Sequence, residues 1–223
     1  MRNFDDIFEL AASRKGGSKA LEKLLTKPKS ARILRNIPDD RWLSAITRSV
    51  FQAGFVWRIV DHKWPDFEQV FCNFDLHHVA YLADEAVESL LEDSRIIRHR
   101  TKLIATRDNA IFLLELADEH GSAANYFANY PASEYVELLL DLKKCASRLG
   151  GTSAQYFLRT MGKESFILSR DVVRALMREK IVDRTPTSQR DLRATQDAFN
   201  VWCAQSKLSL TEVSRILAMG IES

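Results

Sequence analysis

The residues best suited to binding chemistry lie in a glycine turn, Gly150-Gly151-Thr152, between two apolar helical patterns. Two helices joined by a short turn leave unpaired backbone N–H groups at the start of the second helix, where the positive end of the helix dipole also lies. Such an end binds a phosphate without needing a particular side chain. Arg148 adds positive charge just before the turn. From the glycine pair alone, an ordinary corner between two helices is the alternative.

A carboxylate follows this turn at the start of another helix. Ser169 is a typical residue for the beginning of a helix, and Asp171 lies in the first turn that follows. Asp171 is therefore a candidate catalytic group. The alternative is that it only stabilises its helix, which is worth at most about 1 kcal/mol at such a position. The next candidates would then be the acids that flank the helix predicted from Pro38 onward, namely Asp39, Asp40 and Asp61.

The element that must position this chemistry begins at Pro38 and carries an apolar stripe that ends at Trp57. The pattern predicts one core helix that continues to Lys63-Trp64-Pro65. Gly54 costs about 1 kcal/mol in a helix interior, which indicates that another backbone or a ligand approaches closely there. Phe51, Gln52 and Trp57 surround this glycine.

Charge is strongly segregated along the chain although the formal net charge is only +2. Eight Lys or Arg residues and one acid lie between Arg14 and Arg35, whereas the stretch from Asp84 to Asp93 is acidic. A second basic run, from Arg95 to Arg107, includes Arg98 and Lys102. Such charge suits a polyanion backbone, and a solvated, partly mobile arm is the alternative for the first basic segment.

Composition limits the classes of protein that fit. The 223 residues are 46% hydrophobic and 28% charged, which is typical of a globular protein with a packed core. The three cysteines are scattered, which argues against a disulfide framework or a zinc cluster and favours a reducing compartment. Neither a membrane-spanning run nor a signal peptide is predicted, so we expect a cytoplasmic protein. The absence of sustained alternating patterns predicts an all-α fold.

Two segments carry a resemblance to a known family. The motifs QAGFVW and FDLHHVAYLADEAVESLLEDSRIIRHRTKL resemble those of the DNA-3-methyladenine glycosylase I family, in the right order and spacing. This family belongs to the helix-hairpin-helix DNA glycosylases, and the resemblance extends from about Trp42 to Ala175.

The resemblance implies an all-α, helix-hairpin-helix glycosylase-like fold of two helical lobes with the base pocket between them. We expect a basic N-terminal arm over residues 1–37 and a helical glycosylase-like domain over residues 38–223, with the hairpin at 148–153. The implied base pocket consists of Phe51, Gln52, Trp57 and Tyr156. The implied phosphate-binding residues are Gly150, Gly151, Thr152, Arg148, Arg98 and Lys102. We expect Asp171 to be the catalytic residue, because it follows the hairpin at the spacing at which this superfamily brings its acid back to the bound strand.

The chain departs from the family at several positions. The family's pocket carboxylate falls on Ser49, and the catalytic aspartate of the wider superfamily falls on Ser169. Two ligands of the family's zinc site fall on Asp171 and Ala175, and its N-terminal ligands have no counterpart. We therefore expect no zinc and no other cofactor.

These features predict a monofunctional DNA glycosylase for base excision repair. It would hydrolyse the N-glycosidic bond of alkylated purines such as 3-methyladenine in double-stranded DNA. A non-catalytic module that binds damaged DNA on the same scaffold stays open, as does a helical protein-interaction domain without a nucleic-acid partner. We expect a monomer that is associated with the nucleoid and needs no protein partner.

Overall fold

The computed structural model describes residues 1–222, which form α-helices joined by short turns. No β-strand occurs within these residues, so the predicted all-α fold is confirmed. The α-helices in this range are α1 (Phe4–Lys15), α2 (Ser18–Lys23), α3 (Ala31–Arg35), α4 (Asp39–Gln52), α5 (Trp57–Val70), α6 (Leu76–Ala80), α7 (Asp84–Glu92), α8 (Arg100–His120), α9 (Ala123–Asn129), α10 (Tyr135–Cys145), α11 (Thr152–Met161), α12 (Arg170–Arg178), α13 (Gln189–Ser206) and α14 (Leu210–Met219). None of the helices described is both long and apolar enough to cross a membrane.

The helices divide into two compact units. The first unit contains residues 1–29, 131–138 and the described chain from residue 162 onward. The second contains Ser30–Tyr130 and Leu139–Met161. The predicted boundary after residue 37 is therefore wrong, because the chain passes between the units at several points and no single cut separates them.

The N-terminal segment belongs to the core of the first unit and is not a separate basic arm. α1 buries Phe4 and Ile7 and packs against α13 and α14. Leu21 of α2 is also fully buried. The basic residues between Arg14 and Lys29 are exposed, on α1, on α2 and in the segment that follows α2. Sequence reasoning gave weight to the charges, but the buried apolar residues between them decide the fold of this segment.

A buried carboxylate holds the N-terminus in the first unit. Glu179 accepts hydrogen bonds from Arg2 Nε at 3.0 Å and from Arg178 Nε at 2.8 Å. Burial disfavours the charged form, but these hydrogen bonds outweigh it and lower the pKa of Glu179 to about 2. Trp202 Nε1 donates to the carbonyl oxygen of Arg2 at 3.2 Å. The first residues are therefore held by charge as well as by apolar packing.

α4 is the central helix of the second unit and packs against α8 and α11. Trp42 stacks on Phe127 with the ring centroids 4.5 Å apart and meets Phe157 edge-on at 5.9 Å. The predicted single helix through Gly54 is wrong, because α4 ends at Gln52 and α5 begins at Trp57. Gly54 has φ +78°, a left-handed conformation that glycine adopts readily, so it allows the turn between the two helices.

Candidate nucleic-acid interface and base pocket

The turn between α10 and α11 is held by a clamp from α8. Asn109 is fully buried, and its Nδ2 donates to the carbonyl oxygen of Ser147 at 3.0 Å. Its Oδ1 accepts from the backbone N–H of Ser147 at 2.8 Å. On the other side of the turn, Ser49 Oγ of α4 donates to the carbonyl oxygen of Ser153 at 2.7 Å. Hydrogen bonds to two different helices therefore fix the position of the turn.

The start of α11 is open to solvent. Arg148, Gly151 and Thr152 are exposed, and Gly150 is half-buried. Gly151 has φ +58°, so a side chain at this position would be strained. The N–H groups in the first turn of a helix lack helical partners, and they coincide with the positive end of the dipole. This end of α11 has the chemistry to bind a phosphate.

A pocket of about 350 Å³ lies beside this turn, between α4, α5 and α11. Its aromatic lining includes Trp57 and Tyr156, whose rings meet edge-on with the centroids 5.1 Å apart. Trp64 and Phe157 also line it. The volume falls in the ~300–1,000 Å³ range of small-molecule sites, and aromatic walls suit a planar base.

A second cavity, of about 290 Å³, shares lining residues with the first. Gln52, Trp57 and Tyr156 line both, and the second cavity is also lined by Thr152 and Ser153 at the start of α11. The space beside the aromatic walls is therefore continuous with the hairpin. This arrangement places the candidate phosphate anchor next to the candidate base pocket, and all the lining residues belong to the second unit.

The polar side of the pocket is formed by facing residues of α4 and α5. Asp61 Oδ1 accepts from Arg48 Nε at 2.9 Å and from Gln52 Nε2 at 2.9 Å. The Arg48 guanidinium lies over the ring of Trp64, with Cζ 5.6 Å from the centroid. The pocket thus contains a hydrogen-bonded carboxylate at a position that the family motifs did not indicate.

Ser49 occupies the position of the family's pocket carboxylate, and its hydroxyl holds the backbone of the hairpin. It is largely buried and lines the pocket, and its hydroxyl bonds to the backbone at Ser153. Its side chain therefore links α4 to the hairpin and supplies no negative charge to the pocket.

The predicted pocket role of Phe51 is wrong. The side chain is fully buried, and Phe51 is not one of the described residues that line either cavity. Its ring packs edge-on against Phe67 of α5, with the centroids 4.8 Å apart. Successive helix residues point about 100° apart, so Gln52 faces the pocket while Phe51 faces the core.

The predicted phosphate contact of Lys102 is wrong as well. Only 4% of this residue is exposed, and its ammonium donates to the carbonyl oxygens of Phe51 at 3.2 Å and of Ala53 at 2.5 Å. Burial and the nearby charge of Arg148 lower the pKa of Lys102 to about 8. Lys102 therefore caps the C-terminal end of α4, where backbone carbonyls lack helical partners.

The acidic helix α7 neutralises much of the neighbouring basic run. Three ion pairs join the two segments or lie at their junction, namely Arg107 with Asp84 at 2.7 Å, Arg95 with Asp93 at 2.6 Å, and Arg100 with Glu88. Arg98 lies in the segment between α7 and α8 and is exposed. Of the basic residues predicted to bind phosphate, Arg98 and Arg148 thus present their side chains to solvent.

Asp171, the predicted catalytic residue, lies in the first unit at the start of α12. Its side chain is 52% exposed, and a guanidinium nitrogen of its ion-pair partner, Arg174, lies 3.9 Å from the Asp171 carboxylate. The cap of this helix is Ser169, whose hydroxyl accepts from the backbone N–H of Val172 at 3.3 Å. Asp171 is therefore not needed as the capping residue, and its carboxylate is accessible.

The residues at the family's zinc positions do not fit a metal ion. Ala175 has no donor atom, and Asp171 is exposed and beside an arginine. Within residues 1–222, no group of three or more His, Cys, Asp or Glu side chains is arranged to hold a metal.

Sequence reasoning missed Asn109 and Arg48, and it gave Asp61 only as an alternative to Asp171. Asn109 clamps the hairpin, and Arg48 and Asp61 form the polar side of the pocket. The available signal was helical spacing, because Arg48 and Gln52 lie four residues apart, as do Trp57 and Asp61. Only the packing of α4 on α5 brings the two pairs together.

The fold is that of the helical DNA glycosylases. A 3-methyladenine DNA glycosylase I from Staphylococcus aureus has a similar structure, with a TM-score of 0.50 and 21% identity, over 56% of this chain and 77% of that one. The 8-oxoguanine DNA glycosylase of Thermotoga maritima gives a TM-score of 0.52 at 19% identity, over 96% of this chain and 95% of that one. At these low sequence identities, the structural similarity establishes only the fold.

Sequence similarity is more specific. DNA-3-methyladenine glycosylase 1 of Escherichia coli (strain K12) is 40% identical over 65 residues, which are 29% of this chain and 35% of that protein. The match thus spans about a third of the relative's length. Residues 35–177 match the methyladenine glycosylase family, and the chain belongs to this family.

Proposed function

We propose that the protein is a monofunctional DNA glycosylase that hydrolyses the N-glycosidic bond of alkylated purines, such as 3-methyladenine, in double-stranded DNA. This reaction begins base excision repair. The observation that carries the proposal is the aromatic pocket beside the hairpin, lined on one side by Trp57 and Tyr156 and continuous with Thr152 and Ser153. Family membership supports the same chemistry.

The proposed contact with DNA uses the backbone of the hairpin and exposed arginines. The N–H groups at the start of α11 would bind a phosphate of the damaged strand, and Arg148 and Arg98 would contact the neighbouring backbone. The Asn109 clamp supports this role, because a phosphate site made of backbone groups depends on a fixed turn. These groups require no cofactor.

The damaged base would leave the duplex and enter the pocket between the aromatic side chains. Cleavage passes through a sugar with oxocarbenium character, and an alkylated purine that is already cationic needs little acid assistance as a leaving group. We propose that Asp171 stabilises the sugar cation or orients the attacking water. The exposed carboxylate, which the helix does not use as its cap, supports this assignment.

Water is the proposed nucleophile. A bifunctional glycosylase would need an amine at the sugar. Lys102 lies in the basic run from Arg95 to Arg107, but its ammonium donates to the carbonyl oxygens of Phe51 and Ala53 at the end of α4. The engagement of this amine supports the monofunctional assignment.

A non-catalytic module that binds damaged DNA is the second candidate. Ser49 favours it, because a buried hydroxyl bonded to Ser153 stands where the family has its pocket carboxylate. Such a module would use the same pocket and hairpin, and it would bind alkylated DNA without releasing a base.

Base release distinguishes the two candidates. Duplex DNA treated with a methylating agent is incubated with the protein, and free bases are separated by chromatography against a reaction without protein. We expect release of methylated purine by the wild type, and a strong loss in Trp57→Ala, since stacking on an aromatic contributes about 1–3 kcal/mol per base. Tyr81→Ala is the matched control, because Tyr81 is 82% exposed and lines neither cavity. Binding of methylated duplex without release would favour the second candidate.

The proposed substrate also indicates the binding partner of the protein and where in the cell it acts. Double-stranded DNA with alkylated bases is the partner that the site fits, and no protein partner is needed for the proposed reaction. We propose that the protein acts as a monomer at the nucleoid.

A further inference from the structure

Five lysines of the first unit form an exposed basic surface that the proposed base pocket and hairpin do not use. They lie at the end of α1, on α2 and in the segment that follows α2, and we call them the lysine surface: Lys15, Lys19, Lys23, Lys27 and Lys29. All of them precede residue 35, where the match to the methyladenine glycosylase family begins. The lysine surface is therefore an addition to the domain that defines the family.

Acidic side chains do not neutralise the lysine surface. Within residues 1–222, none of its ammonium groups forms an ion pair or a hydrogen bond. Glu22 is the one acid between Arg14 and Arg35, and this exposed residue takes no part in an ion pair in the described chain. Arg14, in contrast, pairs with Glu222 at 2.9 Å. The positive charge left without a partner is thus concentrated on the lysines.

α2 presents two of these lysines in a fixed direction. Leu21 is fully buried, so the opposite side of this short helix faces solvent. Lys19 and Lys23 are four residues apart and both exposed, so they share one face about 6 Å apart along the helix axis. The basic residues of α2 therefore point outward together.

The segment after α2 is held by its backbone, which leaves the lysine side chains free. Arg215 Nη2 donates to the carbonyl oxygen of Leu24 at 2.7 Å. The backbone N–H of Lys29 donates to the carbonyl oxygen of Gly162 at 2.8 Å. The stem of Lys29 also packs on this glycine, because a Cβ at Gly162 would lie only 2.6 Å from Lys29 Cγ. Lys27 thus lies between two fixed points of the chain.

The chemistry of this surface suits a phosphate backbone. A lysine ammonium is a compact point charge, whereas an arginine has the planar fork that reads carboxylates, phosphates or base edges bidentately. Contacts to phosphates supply affinity and carry no sequence information. A fixed group of lysines without acidic partners therefore fits a polyanion whose charges repeat regularly.

We propose that the lysine surface binds the phosphate backbone of duplex DNA, whatever the sequence and whether or not a base is damaged. This inference rests on the proposed function for its partner, and it adds to the hairpin a DNA contact made by the first unit. Contacts of this kind allow a protein to slide along DNA. The lysine surface thus serves the search for damaged bases, while the pocket of the second unit serves their removal.

Three combined variants test the inference. The first, the glutamine variant, removes three charges from the lysine surface by Lys19→Gln, Lys23→Gln and Lys27→Gln. The second, the arginine variant, keeps the charge by Lys19→Arg, Lys23→Arg and Lys27→Arg. The matched control removes three charges elsewhere in the first unit, at exposed residues that also form no ion pair in the described chain, by Lys180→Gln, Arg190→Gln and Lys207→Gln.

The affinity for unmethylated duplex DNA is measured by fluorescence anisotropy between about 50 and 200 mM salt. Each lost phosphate contact lowers the slope of log K against log salt by about 0.9, which is about eightfold in K for a tenfold change in salt. In the glutamine variant we expect the slope to fall by about 1.8–2.7, for two or three lost contacts, and the Kd at about 100 mM salt to rise by about 10²-fold. The arginine variant and the control should keep the wild-type slope.

Release of methylated purine from duplex DNA is the second readout. It is measured in single turnover with the protein in excess and at a concentration that saturates the DNA. We expect the glutamine variant to release base at the wild-type rate once it is bound, because the substituted lysines act in binding. A slower release from saturated DNA would contradict the assignment of the surface to the search.

The outcomes separate this inference from the proposed function. A glutamine variant with the wild-type slope overturns the inference, as does a control that loses as much slope, since the effect would then come from net charge alone. Binding of the wild type, but not of the glutamine variant, to vesicles of phosphatidylserine, with an unchanged slope on DNA, would assign the surface to a membrane and overturn the inference. A slope on DNA that depends on these lysines, without base release by any of the proteins, supports the inference and refutes the glycosylase activity.

Discussion

Replacing Asn109 by alanine removes both hydrogen bonds that hold the backbone of Ser147 in the hairpin. Asn109 is fully buried, so water does not readily replace the lost partners. Each backbone group left without a partner costs about 1–3 kcal/mol. Counting the N–H and the carbonyl oxygen of Ser147, we expect Asn109→Ala to lower the free energy of unfolding by about 2–6 kcal/mol.

The same substitution should weaken binding to DNA, because the turn before α11 would no longer be held in one conformation. A binding site that must be ordered on association pays for that order in affinity. We expect about a tenfold rise in the Kd for duplex DNA. Urea unfolding gives the stability, and fluorescence anisotropy of a labelled duplex at constant salt gives the Kd.

Thr106→Ala is the matched control for this experiment. Thr106 is buried one turn earlier on α8, and its hydroxyl donates to the carbonyl oxygen of Lys102 at 3.0 Å within that helix. We expect this variant to lose stability while its Kd for DNA stays at the wild-type value. The clamp hypothesis is refuted if Asn109→Ala, still folded, binds DNA as tightly as Thr106→Ala does.

Three further predictions concern charge. Binding to duplex DNA should weaken steeply with salt, with a slope of log K against log salt of about −0.9 for each phosphate contacted, and a flat titration would exclude the phosphate contacts. Asp171→Asn should lower the rate of base release by a factor of about 10²–10³, because it removes one electrostatic group, while the DNA affinity should change little. Release at the wild-type rate in a single-turnover assay would mean that Asp171 only stabilises the start of its helix. The pKa of Glu179 is about 2 in the folded protein, below its ordinary value of 4.5, so its contribution to stability is complete above pH 4.5 and is lost as the pH falls toward 2. Urea unfolding across this pH range should show that loss in the wild type and a much smaller one in Glu179→Gln; equal slopes would contradict it.

Much of the scaffold is determined locally by the sequence. The apolar stripe from Leu43 to Val50 predicts α4, and Ser169 marks the start of α12. The glycines before Thr152 mark the turn between α10 and α11, because few other residues adopt the left-handed conformation of Gly151. The family motif also indicated Gln52 and Trp57, which line the pocket.

The tertiary structure alone decided the contacts of the side chains. Phe51 and Gln52 are neighbours in the chain, but only the packing of α5 on α4 determines that one is core and the other pocket. The sequence shows that Lys102 is charged, whereas its burial against the end of α4, some 50 residues earlier, decides that the charge binds carbonyl oxygens and not phosphate. Asp61 becomes a pocket carboxylate in the same way, through its contacts with Arg48 and Gln52 of a different helix. Periodicity reports which face of a helix is apolar, but the partner of a polar group is set by residues distant in the chain, and this information appears only when the helices pack.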